Sequence, residues 1–293
     1  MQHEQQRQFA AYGALALAIS GIAWSAVLVR WAGIPGPASA FYRVLIAAIV
    51  LVPWRMTHRG GRGITRRTVW LALGAGAFFG LDLALYNTAV MRTAAATASF
   101  LGNAAPVFVG IGAWLVFGRR PAAAFWTGLA LAMAGGAIMI LAHARQSSGV
   151  GDPAGDLLAT AAAVFFAGYL LAAERLRSEM DTLTFNTLAI GGSVAILLAL
   201  CLIAGVPLGG YSTRTWAALA GLGLVSQLGA YYALVYALGH LPATITSVGL
   251  LTQLPLTALL AAVLLHEPIT GAQIIGGALV LAGVYVVNRR QSA

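Results

Sequence analysis

The sequence predicts an all-α membrane protein with ten spanning helices, and three observations predict it. The chain has 293 residues, of which 60% are hydrophobic and only 9% charged, whereas soluble domains carry about 25% charged residues. Ten apolar runs approach or exceed the roughly 20 residues that a helix needs to cross a bilayer. They are apolar on all sides, without the alternation over about ten positions that marks barrel strands. Helices must therefore satisfy the backbone in lipid.

In order, the runs cover residues 9–31, 37–54, 68–90, 94–117 and 122–141, then 153–173, 183–204, 215–238, 242–265 and 270–288. The first follows the polar head MQHEQQRQ and carries Trp24, Arg30 and Trp31. It is too long for a signal-peptide core and is expected to be retained. The second holds Arg43 about two turns in, and the third holds Asp82 and Tyr86. The fourth and ninth are interrupted midway by Pro106 and Pro255. The fifth and tenth are rich in glycine, at Gly135-Gly136 and Gly276-Gly277, as close helix packing requires. The sixth carries Tyr169, the seventh Cys201, and the eighth Gln227 and Tyr231. The loops between runs are short, and no stretch remains for a soluble domain.

The net charge of +9 comes from seventeen basic residues, all of them arginine. With the N-terminus inside, the inner segments hold Arg7, Arg55, Arg59, Arg62, Arg66, Arg67, Arg119, Arg120, Arg175, Arg177, Arg289 and Arg290. The outer ones hold Arg30, Arg92, Arg145 and Arg214. This bias places both termini in the cytoplasm of a bacterial inner membrane, and it reads as topology rather than as a nucleic-acid surface. Cys201 is the single cysteine. It excludes an intrachain disulfide or thiolate metal site and reads as a core hydrophobe.

A shift of 149 positions lays residues 71–117 over 220–266 with about eleven matches, against about four expected from composition. Matches include Leu73/Leu222, Gly74/Gly223, Gly80/Gly229, Ala84/Ala233, Leu85/Leu234, Ala94/Ala243, Thr97/Thr246, Leu101/Leu250 and Pro106/Pro255. Further on the register drifts, and Pro121 answers Pro268. Residues 1–145 and 146–293 therefore read as two five-span repeats. Five is odd, so the second repeat enters the membrane from the opposite side. Arg119-Arg120 marks one loop as inner, and its counterpart His266-Glu267 has no arginine. Inverted repeats around a central cavity, with the binding site near the midplane, are a recurrent transporter design. A proline in a span is tolerated where the freed carbonyl faces protein or a wet cavity. Pro106 and Pro255, beside Asn103 and Thr252-Gln253, read either as kinks lining that pathway or as packing kinks.

The stretches AWS at 23–25, FYRVLIAA at 41–48, LPATITSVGLLTQLPLTALLAAVLLHEPIT at 241–270 and GGALVLAGVYVV at 276–287 resemble the drug/metabolite transporter superfamily, specifically its ten-helix EamA type. Within it the chain is similar to the YddG-like amino acid exporters. The resemblance covers essentially the whole chain. It implies ten helices around a central cavity, with spans five and ten as scaffolding. At 117–121, FGRRP departs from the pattern, because arginines stand where the family commonly has an acid.

Charge within a bilayer is costly, so each buried polar residue needs a reason. Asp82 and Tyr86, four apart, share a face of span three, and Gln227 and Tyr231 repeat that spacing on span eight. Trp24, Tyr42, Tyr86, Tyr169 and Tyr231 offer large rings with polar edges. Arg43 suits a carboxylate and Asp82 an ammonium group, unless the two neutralise each other. Trp31, Trp54 and Trp216 read as interface anchors. Trp24, Tyr42, Arg43, Asp82, Tyr86, Asn103, Tyr169, Gln227, Tyr231 and Gln253 are the candidate substrate-binding residues.

The expected function is export of small metabolites, amino acids foremost, by alternating access. No nucleotide-binding loop is present, so ATP does not drive it. Span one has no acid, which favours facilitated diffusion; the alternative is proton-coupled efflux of drugs or organic cations through Asp82. An enzyme is not expected, because His3, His58, His143, His240 and His266 lie in tails, loops or span ends without metal-ligand spacing. A channel would want a filter or charged ring, and neither is written. No cofactor, metal or nucleic-acid partner is expected, and the duplicated chain is expected to be a monomer in its lipid bilayer.

Overall fold

The computed structural model describes residues 2–58, 64–93, 95–144, 152–264 and 269–289. Arg59, Arg62, Ala94, Arg145, His266-Glu267, Pro268 and Arg290 lie outside the described residues, as do the side chains of His3, Arg30 and His143. Ten helical spans are long and apolar enough to cross a membrane, and no strand occurs among the described residues.

Seven spans are single helices: α1 (Gln2–Ala32), α2 (Gly36–Thr57), α3 (Arg66–Arg92), α6 (Ala123–Ala144), α7 (Pro153–Leu176), α8 (Thr182–Ile203) and α13 (Gly271–Arg289). Three spans are not. Span four divides into α4 (Ala95–Gly102) and α5 (Ala105–Phe117), and span nine into α11 (Ala243–Leu250) and α12 (Gln253–Leu264). Span eight runs as α9 (Thr213–Gly221), a nine-residue π-helical turn over Leu222–Ala230, and α10 (Tyr231–Leu238).

The prolines explain two of these interruptions. Pro106 has no N–H for the carbonyl of Gly102, and Pro255 has none for that of Leu251. Each helix stops and restarts with its proline in the new first turn, where the missing donor costs nothing. Tighter bonds bridge the gaps: Ala104 N–H to the Leu101 carbonyl (3.0 Å) and Val107 to Ala104 (2.9 Å) in one span, Thr252 to Gly249 (3.0 Å) and Leu254 to Leu251 (3.0 Å) in the other.

The helices gather into two compact units, each drawing on both halves of the sequence. One comprises Met1–Ala84 and Gly168–Pro242, the other Leu85–Ala167 and Ala243–Ala293. In the second, α6 and α13 pack antiparallel through two glycine pairs seven residues apart. A Cβ on Gly128 would lie 2.6 Å from the Gly283 carbonyl oxygen, and one on Gly276 would lie 2.6 Å from that of Gly135. Phe125, Leu129, Ala132 and Met139 of α6 close the seam with Val280 and Val287 of α13. Backbones approach because lipid supplies no hydrophobic drive and van der Waals contact must hold the pair. Spans five and ten, equivalent in the repeat, thus run in opposite directions.

In the first unit, Ser193 Oγ donates to the Gly76 carbonyl (2.7 Å), joining α8 to α3. Ser226 Oγ donates to the Gly21 carbonyl (2.8 Å), joining the π turn to α1. At one end of the unit Asp181 caps α8: its carboxylate accepts the Thr184 N–H (2.9 Å) and hydroxyl (2.7 Å). That hydroxyl accepts from Arg55 Nε of α2 (2.9 Å). Partial burial opposes ionisation of Asp181, but the Thr184 donors and then the Arg55 charge outweigh it and hold the carboxyl below its ordinary value.

We predict that Gly135→Val lowers stability by about 1–3 kcal/mol, the usual cost of overpacking. Gly74→Ala, at which a Cβ meets nothing within 4 Å, should be neutral or stabilising. Thermal unfolding in detergent checks both, and equal melting points would refute the seam. We also predict that Asp181→Ala costs about 1 kcal/mol at neutral pH, as loss of a cap does. The carboxylate's contribution is present above its unfolded value and fades as pH falls through the lower folded one. The gap between wild type and Asp181→Ala should therefore close only below about pH 4, and a gap independent of pH would count against the cap.

Candidate functional site

The first unit buries a guanidinium. Arg43 of α2 is 7% exposed. Its Nε donates to Gln227 Oε1 at 2.7 Å, and Nη1 donates to Ser25 Oγ of α1 at 3.2 Å. The Tyr231 ring lies beside it, with the guanidinium carbon 5.1 Å from the ring centre. Nη2 is buried and has no hydrogen-bond partner among the described residues. An unmet charged donor in such a place costs more than the about 1–3 kcal/mol of a neutral one.

Local structure explains the arrangement. A π turn closes N–H to the carbonyl five residues back, widening the helix and re-aiming its side chains. Gln227 sits within it and Tyr231 opens the α-helix that follows. Gly223 admits the close approach of α2: a Cβ there would meet Ile46 at 2.6 Å and the Arg43 carbonyl oxygen at 3.2 Å. Behind Tyr231 the rings continue, with Phe79 of α3 at 4.7 Å and Tyr169 of α7 at 5.0 Å from Phe79. Asp82, one turn along α3 from Phe79, feels the Arg43 charge through space.

The second unit holds a separate polar pair at the broken spans. Gln253 Nε2 donates to Asn103 Oδ1 at 3.1 Å, and Asn103 Nδ2 donates to the Ser99 carbonyl at 2.8 Å. The two residues precede Pro255 and Pro106, so the repeat-related interruptions bond to one another. Tyr86 meets the same segment: its hydroxyl lies 3.3 Å from Ser99 Oγ, and its ring covers Gly102, at which a Cβ would clash at 2.8 Å.

Arg43, Gln227, Tyr231, Tyr169 and Asp82 are thus gathered in one unit, and Asn103, Gln253 and Tyr86 in the other. Tyr42 goes elsewhere. It lies about 100° around α2 from Arg43, where its hydroxyl donates to the Leu208 carbonyl and its ring meets Trp216 at 4.9 Å and Tyr211 at 6.1 Å. It anchors the loop between α8 and α9. Trp24 is half-buried beside Ser25. Ser25 and Phe79 escaped sequence reasoning. A lone serine in an apolar span is a weak signal, and a phenylalanine there is none.

Ten apolar spans define a multi-pass membrane protein. Comparison with known proteins supplies its class. The model of the EamA-like transporter family matches residues 9–141 and 153–289, one segment for each repeat. The chain belongs to that family and is a transporter rather than an enzyme. It is 31% identical over 220 residues to the pseudopaline exporter CntI of Pseudomonas aeruginosa, covering 74% of this chain and 73% of that one. It is 30% identical over 211 residues to a protein of Streptantibioticus cattleyicolor described as a probable terminal-alkyne amino-acid exporter, with 70% and 68% covered. An uncharacterised transporter of Archaeoglobus fulgidus is 28% identical over 256 residues, with 86% and 87% covered. A solved crystal structure with 22% identity superposes with a TM-score of 0.77 over 99% of both chains, a likeness of fold.

We predict that Asn103→Leu and Gln253→Leu each destabilise the protein, and that the double variant loses less than their sum. A coupling of about 0.5–1.5 kcal/mol is expected for one hydrogen bond. Strict additivity in a double-mutant thermal series would show the bond to be absent.

Proposed function

We propose that this transporter exports small zwitterionic metabolites, neutral and aromatic amino acids foremost, by alternating access and down the substrate gradient. The observation that carries this reading is the buried, unpartnered Nη2 of Arg43. A guanidinium anchored at two nitrogens, with a third left open, is preorganised for a carboxylate. Asp82, which interacts with the Arg43 charge, would face the substrate's ammonium group. The rings of Tyr231, Phe79 and Tyr169 would receive an apolar side chain. The names of two relatives, one an exporter of pseudopaline and one described as exporting an amino acid, support the same class. The arginine bias supports a cytoplasmic membrane with both termini inside, and the duplicated chain supports a monomer.

Asp82 favours a second reading. A carboxylate within a membrane span is also suited to carry protons, in exchange for an organic cation. Proteoliposomes loaded with labelled leucine or phenylalanine separate the two. Facilitated export predicts saturable efflux that an imposed pH gradient alters by less than about two-fold. Arg43→Gln should raise KM at least about ten-fold, a loss of about 1.4 kcal/mol. An unchanged KM in Arg43→Gln would remove the carboxylate site. Efflux that requires the gradient and disappears in Asp82→Asn would establish the coupled reading instead.

A further inference from the structure

Two segments of the repeat have the same length and different windings. Residues 73–81 and 222–230 align at the 149-residue shift, with matches inside them at Leu73/Leu222, Gly74/Gly223 and Gly80/Gly229, and just beyond at Ala84/Ala233 and Leu85/Leu234. No residue is inserted in either. Yet 73–81 is wound as α within the unbroken α3, while Leu222–Ala230 is wound as π. The π turn is therefore not forced by an extra residue. It is one of two windings open to a segment of this length, and the repeat displays both.

The winding decides what Arg43 touches. One residue of helical rotation is about 100°, so rewinding the π turn as α would turn the chain beyond it by about that angle. Gln227 would leave Arg43 Nε, and the Tyr231 ring would leave the guanidinium. The turn is held by the Ser226 Oγ bond to the Gly21 carbonyl and by close approach of its neighbours: a Cβ on Gly21 would lie 2.6 Å from Ala230 Cβ and 3.3 Å from the Val225 carbonyl oxygen, and one on Gly223 would lie 2.6 Å from Ile46 and 3.2 Å from the Arg43 carbonyl oxygen. The corresponding part of α3 is likewise approached by backbone, Gly76 to Ala189 and Gly192 to Leu73, and there the winding is α.

Building on the carboxylate site above, we propose that Gln227 is its positioning residue and that the π turn is its switch. Wound as π, span eight pins Nε through Gln227 and keeps Nη2 open to a carboxylate. Wound as α, it frees the guanidinium to rotate, and the carboxylate is released. Binding and release then follow from one local rewinding.

Transport by Gln227→Leu, Arg43→Gln, the double variant and a deletion of Val225 tests this. Val225 is exposed in the π turn; shortening the segment by one residue lets it wind as α without turning the chain beyond it, which keeps Tyr231 in place and removes the second winding. The expected result is that Gln227→Leu raises KM for leucine about ten-fold while leaving KM for the amine lacking the carboxylate unchanged, and that the deletion lowers turnover about ten-fold. Adding Arg43→Gln to Gln227→Leu should cost almost nothing more in KM, because both act on one contact. A merely structural role would raise both KM values and give multiplicative effects. If Arg43→Gln raises KM but Gln227→Leu behaves as wild type, or if the deletion turns over as wild type, the site stands and this proposal falls. If Arg43→Gln is itself silent, the underlying site fails. Should the deletion not fold, the cycle between Gln227→Leu and Arg43→Gln decides alone, and multiplicative effects there overturn the proposal.

Discussion

In hydrocarbon, a polar group that the chain does not satisfy is not satisfied by solvent. Each departure from straight α-helix in this protein is shaped by that constraint. Where Pro106 and Pro255 remove a donor, the helix stops, rebonds through three-residue turns and starts again. The side chains beside the gaps, Asn103 and Gln253, then bond to each other rather than remain alone. The constraint also explains why the seam of α6 and α13 is made of glycine. With every backbone bond kept inside its own helix, association depends on how closely two cylinders can approach.

Against that background Arg43 stands out. A buried guanidinium with two nitrogens tied and one open is a costly feature. A transporter has use for a cost of this kind, because a ligand that meets it gains affinity that no well-satisfied wall could give. The same logic makes the π turn informative. A π turn is rare and recurs at functional sites, and this one lies where the side chains that position Arg43 originate.

Much of this was legible in the sequence. The ten spans, the paired prolines and the equivalence of spans three and four with eight and nine all follow from apolar run length and a fixed shift, and the glycine pairs of spans five and ten marked close packing without naming the partner helix. Arg43, Asp82 and Tyr231 were visible because charge or hydroxyl in an apolar run is conspicuous. Tyr42 was equally conspicuous and turned out to hold a loop through Leu208, since adjacent residues on a helix diverge by about 100°. Ser25 and Phe79 were inconspicuous, and only contact reveals their part.

Sequence alone determined how many times the chain crosses lipid, where its helices must break and which residues lie too deep for their charge. Those are consequences of transfer energy and of proline's missing donor, properties of one residue and its near neighbours. Tertiary structure decided which helix wound as π, which amide met Arg43 and which met its repeat partner, and how each compact unit draws helices from both halves. Such choices depend on contacts between segments more than a hundred residues apart, and no local pattern encodes them.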